Sequence, residues 1–289
     1  MRDEFRVPMR DDLGHLVRVP ARVRRVVSIV PSLTEAVAVT APGLLVGVTD
    51  WCTHPANLDL PRIRGTKNPD VAAIVALAPD VVVANEEENR EVDLQALREA
   101  GLAVWVTKIR TVPEALVSLR RMLTLACGCE APDWLARAEA AWSLTPRGYE
   151  SSLPQQTSRP QQTSEPRPTS APRQNGSDRG TAVIPIWRRP WMVVGRDTFT
   201  GDVLARLGVT NAFAEHPERY PKVPLEDLIA ARPDLVVLPD EPYRFTPDDG
   251  PEAFAGIPAA LVSGRYLTWY GPSLEQAPAV LTAQLDQAR

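Results

Sequence analysis

Two stretches of the chain carry the same pattern of apolar and polar positions. Residues 74–90 read IVALAPDVVVANEEENR and residues 228–244 read LIAARPDLVVLPDEPYR. At an offset of 154 residues, Pro79 stands over Pro233, Asp80 over Asp234, Val82 over Val236, Glu87 over Glu241 and Arg90 over Arg244. Each copy predicts a short helical piece, a Pro-Asp turn and a β-branched strand. Proline disfavours helix at the residue before it, so the Pro-Asp pair is a stop signal. A continuous apolar run such as Val81-Val82-Val83 fits a strand buried on both faces, as in a parallel sheet covered by helices. A repeat this long, present twice, is not a solenoid; it predicts two similar α/β lobes facing each other.

The remaining pattern fills in the two lobes. A short strand or hairpin is expected over 12–19 and a strand over 25–30, where Ser32 and Glu35 have the spacing of a capping box. That helix stops by Pro42-Gly43, and strand 44–48 follows. An amphipathic helix over 92–100 closes at Gly101, and 102–106 returns to the sheet. Thr111 and Glu114 repeat the capping-box spacing ahead of Leu116, Leu119 and Leu123, and a second helical piece spans 132–142. Lobe two reads as strand 182–186, helix 199–207 closed by Gly208, the second copy of the repeat, strand 261–262 and a closing helix over 273–288. Strands alternating with helices signal parallel sheets. The division is therefore an N-terminal lobe (1–112), a long or broken bridging helix (113–150), an insert (151–181) and a C-terminal lobe (182–289).

Composition refines this picture at three points. Between Pro154 and Thr181 there is no Val, Ile, Leu, Met, Phe, Trp, Tyr or Cys, so the insert lacks the apolar surface that would offset the entropy of ordering, and disorder is expected. The net charge of −4 argues against a nucleic-acid binder. No apolar run of about 18 residues exists to span a membrane. The first twenty residues lack a signal-peptide pattern, and three cysteines form no disulfide framework, which favours a cytoplasmic setting unless the start site lies upstream. A monomer is expected.

Ligands of open α/β sheets bind beyond the carboxyl ends of the strands. Candidate positions there are Trp51, Cys52, His54, Asn85, Glu86, Glu87, Asn89 and Arg90, then Trp187, Trp191, Tyr220, Tyr243, Arg244, Trp269 and Tyr270. Four of the seven tryptophans follow predicted strands, and flat aromatic walls with a few charges suit a large planar ligand. Single rings could equally plug gaps between loops and sheet. His54 with Asp50 and Cys52 could bind a metal, but with three histidines in the chain a loop role is favoured and no metal site is assigned. Cys127 and Cys129 read as helix-end cysteines. Glu86, Glu87 and Glu88 could act as acid or base with Asp240 or Glu241, or form a solvated acidic loop. Arg90 and Arg244 could hold carboxylate or phosphate groups, or fasten their own loops. A nucleophile elbow, a phosphate-cradling glycine loop and a dinucleotide fingerprint are all missing.

The segments RVVSIVPSLTE (25–35), VGVTDWCTHP (46–55), GTKNPDVAAIVALAPDVVVA (65–84) and PDLVVLPDEPY (233–243) resemble the helical-backbone metal receptor family, the cobalamin and iron-siderophore substrate-binding proteins of ABC importers, with the cobalamin branch closest. The similarity covers nearly the whole chain except the insert. It implies two Rossmann-like lobes joined by a long helix, no intrinsic cofactor, and a metal chelate bound in the cleft between the lobes. Family pocket positions fall on Trp51, Asn85 to Asn89, Trp191, Tyr220 and Trp269. The resemblance also implies docking to an ABC permease through one acidic residue per lobe. Glu226 holds that place in lobe two, whereas the equivalent position in lobe one is Ala72, with Asp70 nearby. The function expected is binding of a corrinoid-like chelate, as an uptake component or a cytoplasmic carrier. The alternative is an enzyme that processes a corrinoid, haem or siderophore with the acidic loops.

Overall fold

The computed structural model describes residues 8–143 and 179–288. The chain forms two compact units, Met1–Ser143 with Thr268–Pro278, and Leu144–Leu267 with Ala279–Arg289. The insert expected over 151–181 lies outside the described residues except for 179–181, where a strand already begins at Thr181.

Each unit is built on a four-stranded, all-parallel sheet. In the first unit the strand order is Leu45–Val48, Val26–Ser28, Val81–Asn85, Val104–Thr107. In the second it is Thr210–Asn211, Thr181–Val183, Leu235–Pro239, Ala259–Val262. The topology is the same in both. The central strands Val81–Asn85 and Leu235–Pro239 are buried along their whole length, as their unbroken apolar runs require of strands covered on both faces. Val27, Ile74, Val82, Leu94, Leu97 and Val106 form the first core. Val183, Leu228, Val236, Leu238, Phe245 and Phe254 form the second.

The repeat is reproduced in detail. Helix Val71–Ala76 precedes the central strand of the first unit and helix Leu225–Ala230 that of the second, again 154 residues apart. The aspartate of each Pro-Asp turn ties down the start of the neighbouring strand. Asp80 Oδ2 accepts from the backbone of Arg24 at 2.6 Å and of Arg25 at 2.9 Å. Asp234 Oδ2 accepts from the backbone of Thr181 at 2.8 Å.

Several local expectations are corrected. The Ser32–Glu35 capping box does not form: Pro31, with its fixed φ and missing N–H, takes the first helical position, so helix Pro31–Thr40 starts from Val30 and Ser32 lies inside it. The Thr111 box forms by half. The Thr111 hydroxyl accepts from the backbone of Glu114, while the Glu114 carboxylate accepts from Arg110 instead, at 2.7 Å. Strand 182–186 is two strands, Thr181–Val183 in the parallel sheet and Pro185–Trp187 in a hairpin with Met192–Val193. The closing helix is shorter, Ala277–Leu285 after a 3₁₀ turn at Pro272–Glu275. After Thr111 the broken alternative is the one found: helix Val112–Arg121 runs into a π-helical segment Met122–Ala126, and a separate helix spans Asp133–Ala141. Pro132, at the N-cap of the last, cannot continue a preceding helix. Among the described residues no helix is long and apolar enough to cross a membrane.

Candidate functional site

At the strand tips of the first unit, the loops after Val81–Asn85 and Leu45–Val48 are pinned from beneath by buried polar groups. Asn85 and Asn89 are both buried. Asn85 Oδ1 accepts from the backbone of Glu87 and Glu88 at 2.9 and 3.2 Å, its amide donates to Thr107 Oγ1 at 3.0 Å, and Asn89 Oδ1 accepts from the backbone of Asn85 at 2.9 Å. Asn89 Nδ2 reaches the carbonyls of Ile29 at 3.2 Å and Thr66 at 2.9 Å. These bonds give the loop one conformation. Both asparagines therefore shape the face rather than stand on it.

The charged members of this loop have partners on it and on neighbouring segments. Arg110 Nη2 lies 2.5 Å from Glu86 and Nη1 3.3 Å from Glu87. Arg90 makes a two-bond pair with Asp93, at 2.7 and 3.0 Å. Lys67 Nζ donates to the Glu87 carbonyl. Glu88 is half-buried, and that burial pushes its carboxyl above the ordinary range; Lys67 draws it back and Glu87 adds to the rise.

The second loop exposes an indole. Cys52 is buried, its sulfur 3.0 Å from Thr34 Oγ1 and 3.1 Å from Thr49 Oγ1, and burial raises its thiol. Arg62 donates to the carbonyls of Thr49 at 2.9 Å and Cys52 at 3.0 Å. The loop is thus held at both ends of Trp51, whose side chain is left 66% exposed. Gly65 makes room beside this ring, since a Cβ there would lie 3.2 Å from Trp51 Nε1. His54 meets Trp269 edge to face, centroids 5.4 Å apart at 87°, and its Nδ1 is 3.1 Å from Thr53 Oγ1. Tyr270, next in the chain, is buried.

At the strand tips of the second unit the aromatic residues form one cluster. Trp187 contacts Tyr243 edge to face at 5.6 Å, Tyr243 packs on Phe245 at 4.7 Å, and Trp191 lies parallel to Phe245 at 6.1 Å and against Phe254 at 5.3 Å. Trp187 is 44% exposed. The Arg188 guanidinium lies over the Trp191 ring at 5.2 Å and pairs with Asp249 and with Glu252, the latter at 2.5 Å. The Tyr243 hydroxyl donates to Asp249 at 2.5 Å, which raises the phenol and lowers the carboxyl. Tyr220 carries the Arg219 guanidinium at 5.5 Å from its ring. Arg244 and Glu226 are exposed. Among the described residues no group of three His, Cys, Asp or Glu side chains could hold a metal ion.

The candidate residues thus fall into a group in each unit. Phe245, Phe254, Arg188, Asp249, Glu252, Arg62, Lys67 and Arg110 join them without having been singled out in the sequence. Arg188 could have been found, flanked as it is by two candidate tryptophans. Arg110 could not, because its partners lie 23 and 24 residues upstream.

No protein-family model matches the chain. A vitamin B12-binding protein of Pectobacterium carotovorum is 21% identical over 268 residues, covering 91% of this chain and 88% of the relative. The periplasmic vitamin B12-binding protein of Vibrio cholerae superposes with a TM-score of 0.66 at 17% identity, over 91% of this chain and 97% of that structure. The periplasmic haem-binding protein of Roseiflexus sp. RS-1 gives 0.65 at 20% identity, over 91% and 98%. The fold expected from the sequence, α/β with two parallel sheets, is the fold of these proteins. All three are named as binding proteins.

Proposed function

We propose, for a chain that shares its fold and its sequence relatives with the helical-backbone metal receptor family, that it binds a metal chelate, and that the chelate is a cobalamin-like corrinoid. Each unit offers a strand-tip face for it, Trp51, His54 and Trp269 in the first unit and Trp187, Trp191, Tyr220 and Tyr243 in the second. Asn85, Asn89 and Cys52 hold the first face in shape. The names of the relatives support the ligand class and a periplasmic setting in place of a cytoplasmic one; an ABC permease as partner is what the family resemblance implies.

The observation that carries the choice of corrinoid is the state of the guanidinium groups. Arg90, Arg110 and Arg188 are each paired with carboxylates of the chain itself, which leaves Arg244 as the exposed candidate arginine, while Trp51 and Trp187 stay exposed. An anionic siderophore or the propionates of haem would be held by cations left available to them. A flat macrocycle rimmed with neutral amides asks instead for aromatic area and a few dipoles. The same pairing takes Glu86 and Glu87 out of the acid–base role that an enzyme would need.

Titration of tryptophan fluorescence with hydroxocobalamin, haem and a ferric siderophore tests the reading. Saturable quenching by hydroxocobalamin is expected, weakened about tenfold or more by Trp51→Ala or Trp187→Ala, with stability unchanged to within about 0.5 kcal/mol because both rings are exposed. Saturation by haem or the siderophore in preference to hydroxocobalamin would overturn the corrinoid assignment. No response to any of the three would overturn chelate binding.

A further inference from the structure

After the second unit's last strand the chain returns to the first unit at Thr268 and stays there to Pro278. This segment is closely held. Trp142, buried at the end of helix Asp133–Ala141, donates from Nε1 to the Leu274 carbonyl at 2.9 Å. On the same helix Arg137 pairs with Glu275 at 2.8 Å. Both anchored residues belong to the 3₁₀ turn Pro272–Glu275, closed by Leu274 N–H to the Gly271 carbonyl at 3.0 Å. Tyr270, Ser273 and Leu274 are buried. Gly271 passes so near the start of helix Pro31–Thr40 that a Cβ on it would lie 3.1 Å from the Ser32 carbonyl oxygen. Trp269 lies two residues upstream, and it meets His54 edge to face.

We propose that the segment Thr268–Pro278 is a strap that delivers Trp269 to the first unit's ligand face, with Trp142 as the positioning residue that fixes it and Arg137 as a secondary hold. The physical reason is slack. A lone indole on an irregular segment would sample many positions, and each ordered degree of freedom costs free energy on binding. Four residues, 270–273, separate Trp269 from Leu274, whose carbonyl Trp142 holds, and a turn and a buried tyrosine take up that length. The strap therefore presents Trp269 already in place. The ligand arm of this inference rests on the binding function proposed above; the structural arm does not.

The test uses the full chain without ligand and then with hydroxocobalamin. Trp269 shifts the ring-proton resonances of His54 through its ring current, so NMR of His54 reads the strap directly in the unliganded protein. Trp142→Phe is expected to move those resonances towards the position they take in Trp269→Leu, and to weaken hydroxocobalamin binding about threefold to tenfold. Glu275→Gln, a change at a half-buried residue that keeps the side chain's size, should do the same in lesser degree. Unchanged His54 resonances in both Trp142→Phe and Glu275→Gln would overturn the strap, whatever the ligand result. Shifted resonances with no hydroxocobalamin binding by the parent protein would support the strap and count against the ligand.

Discussion

Ala78 and Arg232 share a left-handed backbone conformation, with φ of 44° and 49° at positions 154 residues apart. Each is the second residue past the end of a matched helix, Val71–Ala76 or Leu225–Ala230, and each precedes the proline of the Pro-Asp turn. The turn between helix and central strand thus needs the same unusual conformation in both copies. The shared conformation reflects a shared backbone path rather than a shared residue.

That path favours glycine. A non-glycine residue in the left-handed region costs about 1–2 kcal/mol from crowding between Cβ and the following carbonyl, and glycine is the usual residue at this place. Ala78→Gly and Arg232→Gly, made singly, should each stabilise the protein by about 1 kcal/mol, less the added freedom of the unfolded chain. A rise of about 2–4 °C in the melting temperature would report it. A fall in both would mean that the turn does not set the conformation.

The duplication was legible in the sequence because its signals are local: a β-branched run, a Pro-Asp pair and a fixed offset. The parallel sheets followed from the same runs. What was not legible involves competition between neighbours. Ser32 and Glu35 have capping-box spacing, yet Pro31 one residue earlier wins the start of the helix. At the candidate site, exposed aromatic residues were visible as an unusual concentration, but the fate of the charges was not. Glu86 and Glu87 meet Arg110, and Arg188 meets Asp249 and Glu252; such pairings are set by tertiary contact. Arg90 shows the contrast, since its partner Asp93 lies three positions on, a spacing readable on any helix.

The ionic cluster around Arg188 makes the second unit sensitive to acid. The Tyr243 hydroxyl, then Arg188, hold Asp249 below the ordinary carboxylate range. Burial works against ionisation of Glu252, but the backbone N–H of Gly250 and the Arg188 guanidinium outweigh it and lower this carboxyl too. Carboxyls depressed in the folded state contribute stability above their unfolded values and lose it as pH falls through the folded ones. The melting temperature should therefore drop between about pH 5 and pH 3. Arg188→Met should lower stability at neutral pH and flatten that drop, because the carboxyls return towards their unfolded values. An equally steep drop in the variant would exclude Arg188 as the cause.

Glu88 behaves in the opposite sense. Its carboxyl is raised in the fold, by burial foremost, so above its unfolded value the charged form costs stability. At pH below about 4 the group is protonated in folded and unfolded chains alike, and the cost vanishes. Glu88→Gln should accordingly raise the melting temperature at pH 7 and leave it unchanged at acid pH. A loss of stability at pH 7 would show that the charge serves the fold. A carboxyl kept at such a cost, in a loop of the candidate ligand face, fits the tendency of perturbed groups to gather at functional sites.

The two copies of the repeat differ at one exposed helix position. Glu226 is exposed in the first turn of helix Leu225–Ala230, where its charge meets the positive end of the helix dipole. The matching position on helix Val71–Ala76 is Ala72, also exposed. Asp70 does not take its place, since its carboxylate caps that helix by accepting from Ala73 at 3.0 Å and lies 3.5 Å from Arg64. Under the importer reading, contact with basic residues of a permease then depends on the second unit. Glu226→Lys should leave hydroxocobalamin binding intact while reducing permease association about tenfold, with a loss that shrinks as salt is raised. Ala72→Glu should strengthen association, because it restores a charge at the matching place. Co-purification with the permease, alongside the fluorescence titration, separates the two effects; Glu226→Lys without consequence for association would remove this helix from the docking surface.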